Sequence, residues 1–188
     1  MLSLPHLFIH HGTCPCSLFT PPPDAPFLEY ASCYWGAHAR REISEKAIPL
    51  ALKLLDRFDR HISCKLLILK VDPWKPPFDT EGSPIGFTGL HGRALLGVSE
   101  LIVSLSDIRK WNLNATDLKG DTELSWTVRK GHYRGVKLLL EQVGLDPSIA
   151  DNDSRTPLFL ASALRNCEIF KMLLEQNNVN PDTADHQG

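Results

Sequence analysis

Apolar positions in the second half of the chain fall into a pattern that returns every 34 residues. Leu90, Leu124 and Leu158 each stand two residues after a threonine, at Thr88, Thr122 and Thr156. Between these marks the spacing is helical: Val136, Leu139 and Leu140 share one side of a stretch, and Ile169, Phe170, Leu173 and Leu174 share one side of the next. Each interval predicts a turn, a short helix, a break and a second helix. Asp117-Leu118-Lys119-Gly120 places Asp first and Gly last in a type I turn, and Asp151-Asn152-Asp153-Ser154 repeats it with Ser in place of Gly. The threonine can cap a free N–H at the helix start, and Pro157 at the first helical position gives up only a donor that has no partner. Gly97 and Gly131-His132 mark the breaks. A unit of this size cannot bury its apolar face alone, so the pattern predicts an all-α solenoid of about three stacked units.

The first half is patterned differently. Leu28, Ala31, Trp35 and Ala39 are spaced as on a helix that begins near Pro26. Ser44 can open a second, longer helix, because Ile48, Leu52, Leu55, Phe58, Ile62, Leu66 and Leu69 follow at steps of three or four. That stripe needs a cover, and the preceding helix is the nearest, so residues 26–70 are predicted to form an antiparallel helix pair. Residues 1–25 read as a disordered, proline-rich lead-in, and residues 71–82, with Pro73, Pro76, Pro77 and Gly82, as a linker. The repeats occupy residues 83–188, where Asp185-His186-Gln187-Gly188 reads as the turn of a truncated fourth unit. The chain is thus expected to be an internal piece of a longer protein or a shortened gene copy.

These units resemble the ankyrin repeat, whose pattern runs Asp-x-x-Gly-x-Thr-Pro-Leu-His-x-Ala-Ala, then Gly-His, then a helix of the type Val-Val-Lys-Leu-Leu-Leu. Gly131-His132, Val136-Lys137-Leu138-Leu139-Leu140-Glu141, Thr156-Pro157-Leu158 with Ala161, and Lys171-Met172-Leu173-Leu174-Glu175 carry the resemblance. It implies an ankyrin-type α-solenoid that recognises other proteins. It also implies that His91, at the Thr-Pro-Leu-His position, bonds neighbouring loops rather than acting in catalysis. Three departures stand out: Arg93 and Thr127 replace small residues at close helix contacts, and Arg165 replaces the glycine of the break. All three fall in or near the seams between units, which predicts weak units and marginal stability.

Phe27 to Arg40, reading Phe-Leu-Glu-Tyr-Ala-Ser-Cys-Tyr-Trp-Gly-Ala-His-Ala-Arg, is similar to a segment of fungal NACHT-ankyrin proteins that lies between their nucleotide-switched ATPase and their repeats. That similarity implies a role in sensing and assembly. The switch has no counterpart in this sequence: no Gly-x-x-x-x-Gly-Lys-Ser/Thr loop occurs to cradle a phosphate.

Composition narrows the remaining choices. The chain has 188 residues, 43% of them hydrophobic, and no run apolar enough to span a bilayer. Five cysteines without a regular framework point to a reducing compartment, hence a cytoplasmic location with the nucleus as a second choice. A net charge of −2, mixed in sign, provides no field for nucleic acid.

Candidate chemistry is sparse. His6, His10, His11, Cys14 and Cys16 are the one cluster of metal-ligand types, but Cys14-Pro15-Cys16 is too tight for the usual zinc knuckle, so no metal or cofactor is expected. No Gly-x-Ser-x-Gly elbow or His-Glu-x-x-His pair occurs, and Asp151 and Asp153 are explained as turn formers. No catalysis and no small-molecule substrate are expected. Arg40, Arg41, Arg57, Arg60 and Lys65 read as a solvated helix face.

A protein partner is expected instead, bound on the side formed by the turn tips and the first helices. There the sequence places Leu118, Lys119, Asp121, Asn152, Asp153 and Arg155 at the tips, and Arg129, Lys130, Ala163 and Leu164 near the ends of the first helices. Two other readings stay open: a regulatory or targeting subunit of an enzyme that docks through the helix pair, and a decayed remnant without a selected function.

Overall fold

The computed structural model describes residues 36, 38–41, 43–56, 86–106 and 111–181. The proline-rich lead-in, the linker, the His and Cys cluster, the second helix beyond residue 56 and the fourth tip at 185–188 lie outside the described residues.

The described helices are, in order, α1 (Ile48–Asp56), α2 (Gly89–Leu96), α3 (Ser99–Ser106), α4 (Glu123–Arg129), α5 (Tyr133–Leu140), α6 (Pro157–Ala163) and α7 (Cys167–Leu174). The residues described contain no named strand, only an isolated antiparallel bridge between Thr116 and Thr122. First helices stack on first helices, α2 on α4 and α4 on α6, while second helices stack on second helices, α3 on α5 and α5 on α7. This is the solenoid that the 34-residue pattern predicts.

Local chemistry sets each boundary. Thr122 Oγ1 accepts from the Ser125 N–H at 3.1 Å, and Thr156 Oγ1 from the Phe159 N–H at 3.2 Å, with Pro157 opening α6. At the first unit His91 completes the cap, its Nδ1 accepting from the Thr88 N–H at 3.0 Å. The breaks turn through left-handed backbone at Gly97 and Gly131, and Arg165 adopts the same conformation with φ 56° although it carries a side chain. Gly97 is needed for a second reason: a Cβ there would lie 2.5 Å from the His132 ring of the next unit.

Two apolar clusters fill the stack. Leu124, Val128, Val136, Leu139, Leu158, Ile169 and Leu173 form the one shared by the second and third units. Phe87, Ala94, Leu101 and Trp126 belong to the other, which also takes in Ala51 and Leu55 of α1. The described part of the stripe on α1 meets the first unit: α1 packs on both α2 and α3. Gly89 approaches so closely that a Cβ would meet the Leu55 carbonyl at 2.1 Å. Of the helix expected before α1, residues 26–35 lie outside the described residues. Of that helix, Ala39 packs on the same cluster, and the exposed Arg40 donates to the Leu96 carbonyl at 2.8 Å. Together these segments cap one end of the stack.

The large residues in the seams are accommodated. Arg93 is 2% exposed, and its guanidinium forks onto the buried Glu123 carboxylate of the next unit, with Nη2 to Oε2 at 2.8 Å, while Nη1 donates to the Leu101 carbonyl. Thr127 donates its hydroxyl to the Glu123 carbonyl at 2.8 Å, and its methyl fits because the facing residue of α5 is Gly135, where a Cβ would come within 2.9 Å.

Candidate recognition surface

Each turn tip is built by one aspartate. Asp117 Oδ1 accepts from the Lys119 and Asp121 N–H groups at 2.8 and 3.0 Å, and its Oδ2 accepts from the Trp126 indole at 2.9 Å. Asp151 does the same one unit later, accepting from the Asp153 and Arg155 N–H groups at 3.0 and 2.9 Å. The tips then swing back through positive φ, at Gly120 (76°) and Ser154 (61°). Neighbouring tips are tied directly, because Asn152 donates its N–H to the Lys119 carbonyl and its side-chain amide to the Leu118 carbonyl, both at 2.8 Å.

A chain of charges runs behind the tips. Arg129 reaches Asp121 at 3.1 Å and Asp151 at 2.8 Å, and Arg155 joins Asp151 to Asp153. Burial pushes the Asp121 carboxyl up to about 6, with the Arg129 cation pulling the other way and the Asp117 and Asp151 charges adding to the rise. His91 is buried between two units, its Nε2 lying 3.1 Å from the Asp121 carbonyl. Desolvation holds it below the usual histidine range, outweighing the nearby Asp117 charge. With Nδ1 accepting from Thr88, the neutral ring donates from Nε2 to Asp121, so it joins two turns as the family resemblance implies.

Most of the residues singled out in the sequence come together here. Leu118, Lys119 and Asn152 sit on the linked tips, and Asp121, Arg129, Asp153 and Arg155 belong to the charge chain. Asp121 departs from expectation. It is only 2% exposed, because Arg129 folds over it, so it orients Arg129 rather than presenting itself to a partner. Lys130 stands exposed at the end of α4, its pKa lowered by desolvation and by repulsion from Arg129. Ala163 and Leu164 stand exposed at the end of α6, and no described hydrogen bond joins them to the tips. Leu118 and Leu164 are 42% and 53% exposed.

The arrangement presents polar and apolar contacts on a braced backbone. Among the described residues no group of three or more His, Cys, Asp or Glu side chains is placed to hold a metal. No described helix is long and apolar enough to cross a membrane.

The periodic pattern finds only one of the two residues that stiffen the first tip. Asp117 and Trp126 are nine residues apart and bond through a side chain that no periodicity marks. The signal for Asp117 was present in the Asp-x-x-Gly turn, whereas that for Trp126 was absent.

A family model described as Ankyrin repeats (3 copies) matches residues 90–185. No curated protein matches the chain.

Proposed function

Because the chain belongs to the ankyrin-repeat family, we propose that it is a non-enzymatic scaffold that recognises a protein partner through its turn tips. The observation that carries this reading is the brace beneath the exposed Leu118 and the partly exposed Lys119: Asn152 holds both of their carbonyls, and Asp117 holds the turn from below. A tip fixed in advance loses little conformational freedom on binding. An exposed leucine beside Lys119 and Asn152 offers an apolar anchor with polar neighbours.

The similarity of Phe27–Arg40 to NACHT-ankyrin proteins supports placing the chain among pieces or relatives of such signalling proteins, with recognition as the share that falls to the repeats. The cysteine usage supports a reducing, cytoplasmic or nuclear setting. Docking through the helix pair is the weaker reading, since the buried face of α1 is already occupied by the first unit.

Affinity capture compares the full chain with Leu118→Asp, a change at an exposed position. The expected result is a specific protein retained by the wild type and lost from the variant, whose circular dichroism is unchanged. Identical captures would reject the tips as the recognition surface, and ATP hydrolysis by the purified chain would reject a non-enzymatic role.

A further inference from the structure

The seam between the first and second units is held at each end by a histidine ring, and neither ring is placed to take a second proton. Near the tips, His91 Nδ1 accepts from the Thr88 N–H at 3.0 Å, and Nε2 lies 3.1 Å from the Asp121 carbonyl of the second unit. Both nitrogens of the neutral ring are in use. A further proton goes to Nδ1, where it faces the Thr88 N–H donor against donor and undoes the cap of α2, leaving only the Thr88 hydroxyl, 3.0 Å away, to turn towards it. At the other end, the His132 ring of the second unit lies so close to the first break that a Cβ on Gly97 would come within 2.5 Å of its Cε1 and Nε2. Its Nε2 is buried without a hydrogen-bond partner, and no other side-chain nitrogen or oxygen among the described residues is left so.

The seam between the second and third units is built without such groups. One repeat on from His91 and His132 stand Ser125 and Asn166. Asn166 caps α7, its Oδ1 accepting from the Ile169 N–H at 3.3 Å, and the Ser125 hydroxyl lies 3.1 Å from that of Thr122. Neither side chain titrates.

We propose that the first seam is an acid-released joint: protonation of His91 and His132 parts the first unit from the second, while the second seam stays closed. α1, which packs on α2 and α3, leaves with the first unit. The joint does not depend on the tips being the recognition surface.

The surroundings of both rings decide the sign. Desolvation weighs most on His132, and two cations add to it, Arg40 from the segment before α1 and Lys130 from the end of α4. The Leu95 carbonyl at the end of α2 favours the charged ring but is outweighed, Glu100 in the first turn of α3 is not among the groups acting on it, and Asn166 at the start of α7 is uncharged. For His91, burial outweighs the Asp117 charge and the Asp121 and Ala115 carbonyls, and the Phe87 ring packs 5.4 Å away. Both imidazoles are therefore held below the ordinary value of 6.5, so the stability they contribute is kept above that value and lost as pH falls below it. Asp121 opposes the release, because its carboxyl, raised to about 6, takes up a proton more readily in the closed stack, but it stands alone against two rings.

Amide hydrogen exchange of the full chain at about pH 7.5 and about pH 5, corrected for the intrinsic pH dependence of exchange, provides the test. The comparison is with His91→Ser/His132→Asn, which copies the residues of the second seam. In the wild type, protection of α1, α2 and α3 should fall in acid about tenfold or more relative to α6 and α7, since each titrating ring contributes about a factor of ten per pH unit. In the double variant the two ends should respond alike. Unchanged protection of the first unit in acid, an equal fall in all the described helices of the wild type, or the same acid response in the double variant would overturn the proposal. Should the double variant fail to fold at neutral pH, His132→Asn alone decides: a smaller acid response than the wild type supports the joint, and an equal one overturns it.

Discussion

Asp117 and Asp151 show how much one short side chain can do. Each carboxylate closes its own turn with one oxygen and reaches across to a neighbour with the other, Asp117 to Trp126 and Asp151 to Arg129. Both choices follow from an acceptor-only group with two oxygens placed where a turn leaves N–H groups unpaired. Asp121, four residues along, is held differently, and the difference is measurable. Its pKa is raised from an ordinary 3.8 to about 6 in the folded chain, so between those values the folded state binds the proton that the unfolded state releases. That contribution to stability is present at low pH and lost as pH rises through about 6. Urea unfolding of wild type and Asp121→Asn should therefore show the wild type losing about 1 kcal/mol relative to the variant between about pH 5 and 7.5. A difference independent of pH would show that Asp121 titrates as an exposed carboxylate. His91 moves stability the opposite way, since its lowered pKa favours the folded state above the ordinary histidine value, but it is common to both proteins and cancels.

At the scale of the element, the caps and breaks were legible and the seams were not. Thr122, Thr156, Gly97 and Gly131 carry their structural roles in their own chemistry, so the sequence pattern places them correctly. Arg93 and Thr127 read as defects because their relief comes from residues far along the chain. Glu123 lies thirty residues from Arg93, and Gly135 faces Thr127 from the next helix. Neither partner follows from a 3.6-residue period. The buried pair makes a sharp prediction. Arg93→Met leaves Glu123 uncompensated and should cost about 3–5 kcal/mol, while Arg93→Met/Glu123→Leu should recover most of that loss, because an apolar pair escapes the desolvation cost of both charges. The measurement is a double-mutant cycle by chemical denaturation. Additive losses would mean that the two side chains do not interact across the seam.

For the molecule as a whole, the 34-residue period was enough to foretell a stack, but not where the stack begins. α1 lies outside the repeat pattern, and its apolar stripe fits any apolar surface; only the close approach of Gly89 to Leu55 and the burial of Ala51 and Leu55 identify the first unit as its cover. The turn tips were legible to a similar degree. Leu118, Lys119, Asn152 and Asp153 lie on tips as read, whereas Asp121 was taken for a contact because burial by Arg129, eight residues on, leaves no mark in the sequence.

A solenoid in which every unit leans on its neighbours responds to damage in the middle along its whole length. Leu139 is fully buried in the second unit, and Leu139→Ala should remove about 2–5 kcal/mol. Amide hydrogen exchange followed by mass spectrometry tests this most directly. Mutual support through the seams predicts that protection falls in α2 and α3 of the first unit and in α6 and α7 of the third, as well as in α4 and α5. Loss of protection confined to residues 123–140, with both flanking units as protected as in the wild type, would contradict it.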